Sequence, residues 1–204
     1  MELSSHDSVA VLAFSTTAGY PRLTAAILAE LDDLLEEVNG AGLFSAVVIA
    51  ANAKSFPTGA EIEEVAAVEG LRAREFAERG QSICRRVSTF PLPVVAAIRG
   101  YCLGGGLDLA LACHGRVATF DASFGHPGAA LGLVTGWGGT ERLPRLLGKP
   151  AALQLFLTAD RIPATQALTM GLVDALVSCR DLLGAAAQRA QALRRPLARS
   201  HAGL

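Results

Sequence analysis

Short, uninterrupted apolar runs recur along this chain, each followed by a glycine-rich turn or a stretch with helical spacing. Ser8–Phe14, SVAVLAF, is short and rich in valine, which predicts a buried strand. Thr24 then precedes a helical pattern in which Ile27, Leu28, Leu31, Leu34, Leu35 and Val38 share one face, and Gly40-Ala41-Gly42 ends it. Ala46–Ala50, AVVIA, reads as the second strand, and Asn52–Gly59 as a loop. The spacing of Phe76, Ile83, Cys84 and Val87 predicts an amphipathic helix over Leu71–Val87, weakened by Gly80 and stopped by Pro91 and Pro93. Val94–Ile98, VVAAI, is a third buried strand that delivers the chain into Gly104-Gly105-Gly106.

Beyond Gly115 the pattern gives a strand at Arg116–Thr119 and a glycine-rich section at Gly125–Gly139. Helices are expected at Thr140–Leu147, Ala151–Thr158 and Ala164–Met170, a last strand at Leu172–Val177 and a final helix at Leu182–Leu193. Continuously apolar strands alternating with helices indicate an α/β protein rather than a sandwich or a bundle. No repeat or low-complexity linker divides the chain, although the alanine- and arginine-rich tail after Asp181 has the composition of a mobile end.

At 204 residues the chain fits one domain. Hydrophobic residues make up 51% of it and charged residues 18%, so some apolar surface is expected to be covered by other subunits. A formal net charge of -1, without a basic stripe, gives no electrostatic case for nucleic acid. Glu2 and Asp7 stand where a signal peptide would be basic, and no apolar run approaches the roughly 20 residues that span a bilayer. A cytoplasmic location away from membranes is the resulting expectation. Cys84, Cys102, Cys113 and Cys179 form no CxxC pair and have no zinc-like histidine spacing, and three of them sit in apolar runs as buried, reduced thiols do, so structural cysteines and no metal site are expected.

The densest chemistry lies at Gly100–Cys113, where three glycines open into an apolar, helix-competent run. Glycine costs about 1 kcal/mol per helical position relative to alanine, so a triplet there makes sense where the backbone itself must approach something. Amides at such a helix start, aided by its dipole, stabilise negative charge on a ligand oxygen, and Asp108 lies one turn in. A tight strand-to-helix turn explains the same glycines. The segment Ser55–Ile62, SFPTGAEI, is a second such turn: Gly59 permits it, and the Ala60 amide is exposed before a helix indicated by Ile62 and Val65. The glycine spacing fits neither the dinucleotide fingerprint nor the phosphate-binding loop. Two turns that each present one amide to a shared point would form an oxyanion hole.

With these motifs the chain resembles the crotonase superfamily, the enoyl-CoA hydratase/isomerase group, from the Val9 strand to about Val177. SFPTGAEI resembles that family's first oxyanion loop and VVAAIRGYCLGGGLDLALAC its second. ASFGHPGAALGLVTGWGGTERLPRLLG resembles the following catalytic segment, and PATQALTMGLVD the helix-strand element after it. The resemblance implies a crotonase-like α/β fold, a spiral of ββα units with a shortened C-terminal helical region. Residues 1–180 would form the acyl-CoA-binding core, and 181–204 a C-terminal helix and tail of the same domain.

The resemblance further implies oxyanion-hole amides at Ala60 and Gly105 and a proton-transfer carboxylate at Asp108. It implies substrate contacts at Thr58, Gly59, Glu61, Ile62, Tyr101, Gly104, Pro127, Gly128 and Trp137. Trp137 stands where a bulky ring would shorten or shape the acyl cavity. Coenzyme A would enter as part of the thioester substrate, with no prosthetic group, and the assembly would be a homotrimer or dimer of trimers. Four departures qualify this picture. Gly128 stands where hydratases carry a second catalytic glutamate, which puts ordinary hydration in doubt and leaves Asp121, His126 and Glu141 as substitutes. The family's usual asparagine-arginine-proline pattern is missing from STTAGYPRL, leaving Arg22 and Lys54 as candidates for CoA phosphates. His114 replaces a frequent aspartate, where a surface or helix-terminal role is expected. The chain also ends at Leu204, whereas typical relatives continue for several more helices that close the pocket; either the abbreviated tail does less of this work or a partner subunit supplies it. Isomerisation or another proton transfer is therefore at least as consistent as hydration. The alternatives are a CoA-ester hydrolase or decarboxylase and a non-catalytic acyl-CoA-binding or assembly subunit.

Overall fold

Nine short strands and seven helices are found in the computed structural model, which describes residues 1–16, 19–61, 65 and 71–193. Strands β1 (Glu2–His6), β2 (Val9–Phe14), β3 (Ala46–Ala51), β4 (Val94–Ile98), β6 (Gly115–Thr119) and β9 (Ala175–Val177) form the larger sheet, in the order β1-β2-β3-β4-β6-β9. All its pairs are parallel except β1 with β2. A smaller sheet joins β5 (Tyr101–Leu103), β7 (Ser123–Gly125) and β8 (Ile162–Pro163) in that order.

Both faces of the larger sheet are covered, which is why its strands read as unbroken apolar runs. Ala10, Leu12, Phe14, Val47, Ile49, Val94 and Ala96 face the main core beneath helices α1 (Ala25–Ala41), α2 (Leu71–Ser88) and α3 (Gly105–Ala112). The alternate residues Val9, Val11, Val48, Val95 and Val117 pack with Leu182, Ala186, Ala187 and Ala190 of α7 (Leu182–Ala192). Between these lie α4 (Gly139–Leu147), α5 (Lys149–Leu157) and α6 (Ala164–Thr169). Thr24 caps α1 by accepting from the Ile27 amide, and Gly42, at φ 63°, ends it as the sequence predicts.

Four expectations change. Val94–Ile98 does not lead straight into the glycine triplet: at Gly100, φ 56°, the chain leaves the larger sheet and runs as β5 in the smaller one. A Cβ at Gly100 would lie 2.5 Å from the Lys54 carbonyl oxygen, so the crossing requires glycine. The chain repeats this crossing from β6 to β7, and these ββ pairs are the turns of the spiral. Leu172–Val177 is a strand only from Ala175, because the Leu172 and Val173 amides bond back to the Ala167 carbonyl at the end of α6. Gly80 does not interrupt α2, and it makes room for the Trp137 indole, 2.2 Å from where a Cβ would stand. The stretch after Asp181 is not a mobile end throughout, since Leu182–Ala192 form α7 and pack on the larger sheet.

Arg116 closes the far end of α3. It is buried, and its guanidinium donates to the carbonyls of Leu172, Cys113 and Ala110 at 2.7, 3.0 and 3.3 Å. Those bonds satisfy acceptors that a helix C-terminus leaves free and hold α3 against the β9 connection. Residues 194–204, the last part of the alanine- and arginine-rich tail, lie outside the described residues.

The closest backbone approach falls at Gly106, where a Cβ would lie 1.8 Å from the Pro57 carbonyl oxygen. Gly40, near the end of α1, has nothing within 4 Å of that position. Gly106→Ala is expected to lose about 2 kcal/mol or more of unfolding free energy in urea, and Gly40→Ala to gain about 0.5 kcal/mol. Equal effects of the two would contradict the close approach.

Candidate active site

Two glycine turns meet at the start of α3. The first, Ser55–Ala60, is tied down on both sides: the Phe56 amide donates to Arg99 O at 2.9 Å and Thr58 to Pro21 O at 3.0 Å. Gly59 O accepts from the Leu23 amide at 2.9 Å. The second turn is held by Gly104, whose amide donates to Gly125 O at 2.9 Å and whose φ of 52° favours glycine. A Cβ at Gly59, φ 102°, would lie 3.3 Å from both the Gly105 nitrogen and the Leu103 oxygen. The structure therefore brings together the two segments expected to carry Ala60 and Gly105. Gly105 is the first residue of α3, so its amide has no intrahelical acceptor.

Asp108 follows Gly105 by three residues on the same helix, so the two share a face about one turn apart. Its side chain is only 1% exposed. Oδ2 accepts from the Thr135 hydroxyl and from the Trp137 amide, the latter at 3.2 Å. Oδ1 has no hydrogen-bond partner among the described residues and lies 3.8 Å from Nε2 of His126. Burial pushes the Asp108 carboxyl up to about 6 against the pull of its two donors and the Arg142 charge, and pushes His126 down to about 4. Cys84 is held well above the ordinary thiol range by burial first and by Asp108 second.

Trp137 ties the turn and the carboxylate together. Its indole lies against Gly105, where a Cβ would sit 2.4 Å from the ring, and against Phe76 with centroids 5.5 Å apart. Its carbonyl accepts from Arg142 at 3.0 Å, and the neighbouring Gly136 carbonyl accepts from Gln81 at 2.8 Å. A Cβ at Gly139 would lie 2.1 Å from Asp108 Oδ1, so that glycine lets the loop close over the carboxylate. Thr135 and Gly139 escape sequence reasoning, although the cluster Thr135-Gly136-Trp137-Gly138-Gly139 was the available signal.

Of the remaining sequence-predicted positions, Tyr101 is half-buried, with its ring edge-on to Tyr20 at 5.4 Å and under the Arg161 guanidinium at 5.0 Å. Pro127 is exposed and opens a short 3-10 turn that contains Gly128. Glu61 is half-buried, and Ile62 lies outside the described residues. Asp121 is exposed on the β6–β7 turn and Glu141 on α4, so neither is buried with Asp108; His126 is. His114, just beyond α3, is exposed, and its Nδ1 accepts from the Val94 amide at 2.9 Å. Lys54 lines an open groove of about 640 Å³ together with Arg99, Tyr20, Asn52 and Thr16, whereas Arg22 does not. Arg99 Nε is buried without a partner among the described residues, and sequence reasoning missed this residue. Among the described residues no three His, Cys, Asp or Glu side chains are grouped to hold a metal, and no helix is long and apolar enough to cross a membrane.

A two-sheet ββα spiral whose glycine turns abut above a buried helical carboxylate defines the crotonase class of α/β proteins. The chain belongs to the enoyl-CoA hydratase/isomerase family, whose model matches residues 4–202. It is 38% identical over 182 residues to a crotonyl-CoA hydratase of Syntrophomonas wolfei, covering 89% of this chain and 70% of that one. It is 36% identical over 185 residues to a short-chain-enoyl-CoA hydratase of Clostridium acetobutylicum, covering 90% and 71%. Among solved structures, enoyl-CoA hydratase from Bacillus anthracis superposes with a TM-score of 0.88 at 32% identity, covering 94% of this chain and 75% of that one.

The shifts of Asp108 and His126 act on stability with opposite signs. Asp108, raised from 3.8 to about 6, favours the fold below its unfolded value, and that stability is lost as pH rises through 6. His126, lowered from 6.5 to about 4, favours the fold above 6.5, and that stability is lost as pH falls toward 4. Asp108→Asn is therefore expected to raise stability at pH 7 by up to about 3 kcal/mol. It should also leave a melting temperature that climbs with pH between about 4 and 6.5 more steeply than the wild type's. Thermal scans across that range check both, and a variant less stable than wild type at pH 7 would contradict the burial cost.

Proposed function

We propose that this protein processes an acyl-CoA thioester through an enolate, with the carbonyl oxygen held by the amides of Ala60 and Gly105 and a proton moved by Asp108. The observation that carries this reading is the abutment of Gly59 on the Gly105 amide, one helical turn from a buried carboxylate. Two preorganised amides lower the cost of the developing charge by about 2.7–4 kcal/mol each in comparable sites. A buried carboxylate near 6 is a stronger base than a solvated one and still ionises at neutral pH.

The residues around this centre fall into consistent places for such a substrate. Thr58, Gly59, Glu61, Ile62 and Gly104 would flank the thioester, and Tyr101, Pro127 and Gly128 would line its approach. Lys54 and Arg99 in the open groove suit the phosphates of coenzyme A, which needs local cations on a chain of net charge -1. The Trp137 indole, seated against Gly105 and Gly80, would keep the acyl cavity short, in keeping with the short-chain substrates named for the similar hydratases. Exposed Phe120, Leu131, Val134, Leu153 and Leu157 support self-association in the cytoplasm as a homotrimer or dimer of trimers, or with a partner subunit.

Asp108→Asn is expected to lower turnover of a short enoyl-CoA about 10²- to 10⁴-fold while leaving its dissociation constant within about threefold. Stopped-assay kinetics and calorimetry with a non-reactive CoA thioether measure the two. Undiminished turnover would remove Asp108 from the mechanism.

A further inference from the structure

The two glycine turns and one carboxylate account for an enolate, but adding water across a double bond needs two groups, one to take a proton from water and one to give a proton to carbon. Gly128 offers no second carboxylate. The same loop does offer His126, two residues earlier, at the end of β7. Its side chain is buried, and neither ring nitrogen has a hydrogen-bond partner among the described residues. Nε2 faces Asp108 Oδ1, which is also buried and unpartnered, across 3.8 Å. That distance is too long for a direct hydrogen bond. An imidazole kept only for packing would leave these polar atoms unsatisfied at a cost of about 1–3 kcal/mol each in other proteins, so the arrangement calls for a reason beyond packing.

We propose that His126 is a second catalytic residue, paired with Asp108, and that it supplies through an imidazole the proton transfer for which Gly128 has no side chain. This rests on the thioester-enolate reading above. In the addition direction, Nε2 of neutral His126 takes a proton from water as the water oxygen bonds to the β carbon. The electron pair of the double bond moves onto the thioester carbonyl, whose oxygen the Ala60 and Gly105 amides hold. The protonated Asp108 carboxyl gives its proton to the α carbon as the enolate collapses. The imidazolium then returns one proton to the Asp108 carboxylate, so one water has been added and the pair is reset.

The surroundings keep the imidazole neutral and raise the share of neutral carboxyl with which the cycle starts. His126 is backed by the Phe156 ring of α5, centroids 5.3 Å apart, and no cation among the described residues shifts it. Asp108 is faced by the protonated thiol of Cys84 from α2, the Thr135 hydroxyl from the loop and the Arg142 charge from α4. Burial outweighs that charge for Asp108 and acts alone on His126, in opposite directions.

The test separates the two readings with two reactions of the full chain. Hydration of crotonyl-CoA needs both groups, whereas exchange of the α hydrogens of butyryl-CoA in deuterated water needs only Asp108 and the amides. His126→Gln, with His126→Asn as the second variant should the first misfold, is expected to lose hydration by about 100-fold or more and to keep exchange within about threefold. A His126 variant that hydrates as well as wild type, or a wild type that exchanges without ever hydrating, would overturn the role of His126 while leaving the enolate reading intact. A folded wild type that does neither would overturn the enolate reading and this proposal together.

Discussion

Everything at the candidate site depends on one close approach, that of the backbone at Pro57–Gly59 to the backbone at Leu103–Gly106. The Pro57 carbonyl occupies the space a side chain at Gly106 would need, and Gly59 lies against the Gly105 amide. No side chain is compatible with that contact, which is why glycines stand at a helix start where alanine would be intrinsically preferred. The spiral makes the contact possible: β4 and β5 belong to different sheets, and the Gly100 crossing between them turns the chain back over the loop that follows β3.

A second consequence follows from where that contact sits. From Gly106 onward α3 is buried, so Asp108 enters the core with it and is met by Thr135, the Trp137 amide and His126. Burying a carboxylate costs stability, and the fold tolerates it because Oδ2 is satisfied and the large remaining core lies between sheet and helices. The cost is concentrated on Oδ1 and the facing imidazole, the two places where a reacting group gains most from a pre-formed, dry environment. Trp137 links the parts, with its ring against Gly105, its amide on Asp108 and its carbonyl on Arg142.

The fold was legible in the sequence wherever burial was two-sided. Val9–Phe14, Ala46–Ala51 and Val94–Ile98 are covered on both faces, so each announced itself as an apolar run. β1 escaped because it is a mostly exposed edge strand, and β5, β7 and β8 because two or three residues carry no period. Leu172 and Val173 are as apolar as strand residues, yet their amides are spent on the end of α6, a choice that no local pattern reveals. At the candidate site, the two glycine turns that meet and the carboxylate one turn into the helix were legible because their motifs are local. The Thr135 hydroxyl, the Gly139 contact and the selection of His126 over Asp121 and Glu141 were not, because each depends on which loop folds over α3.

If the two abutting turns hold a thioester carbonyl oxygen by their amides, carbon-13 NMR of a bound CoA ester labelled at that carbonyl reads the contact at the atom concerned. A downfield displacement on binding is expected, retained in Asp108→Asn because the amides are backbone groups that the substitution leaves in place. A bound ester whose carbonyl resonance stays at its solution position in both proteins would contradict that contact.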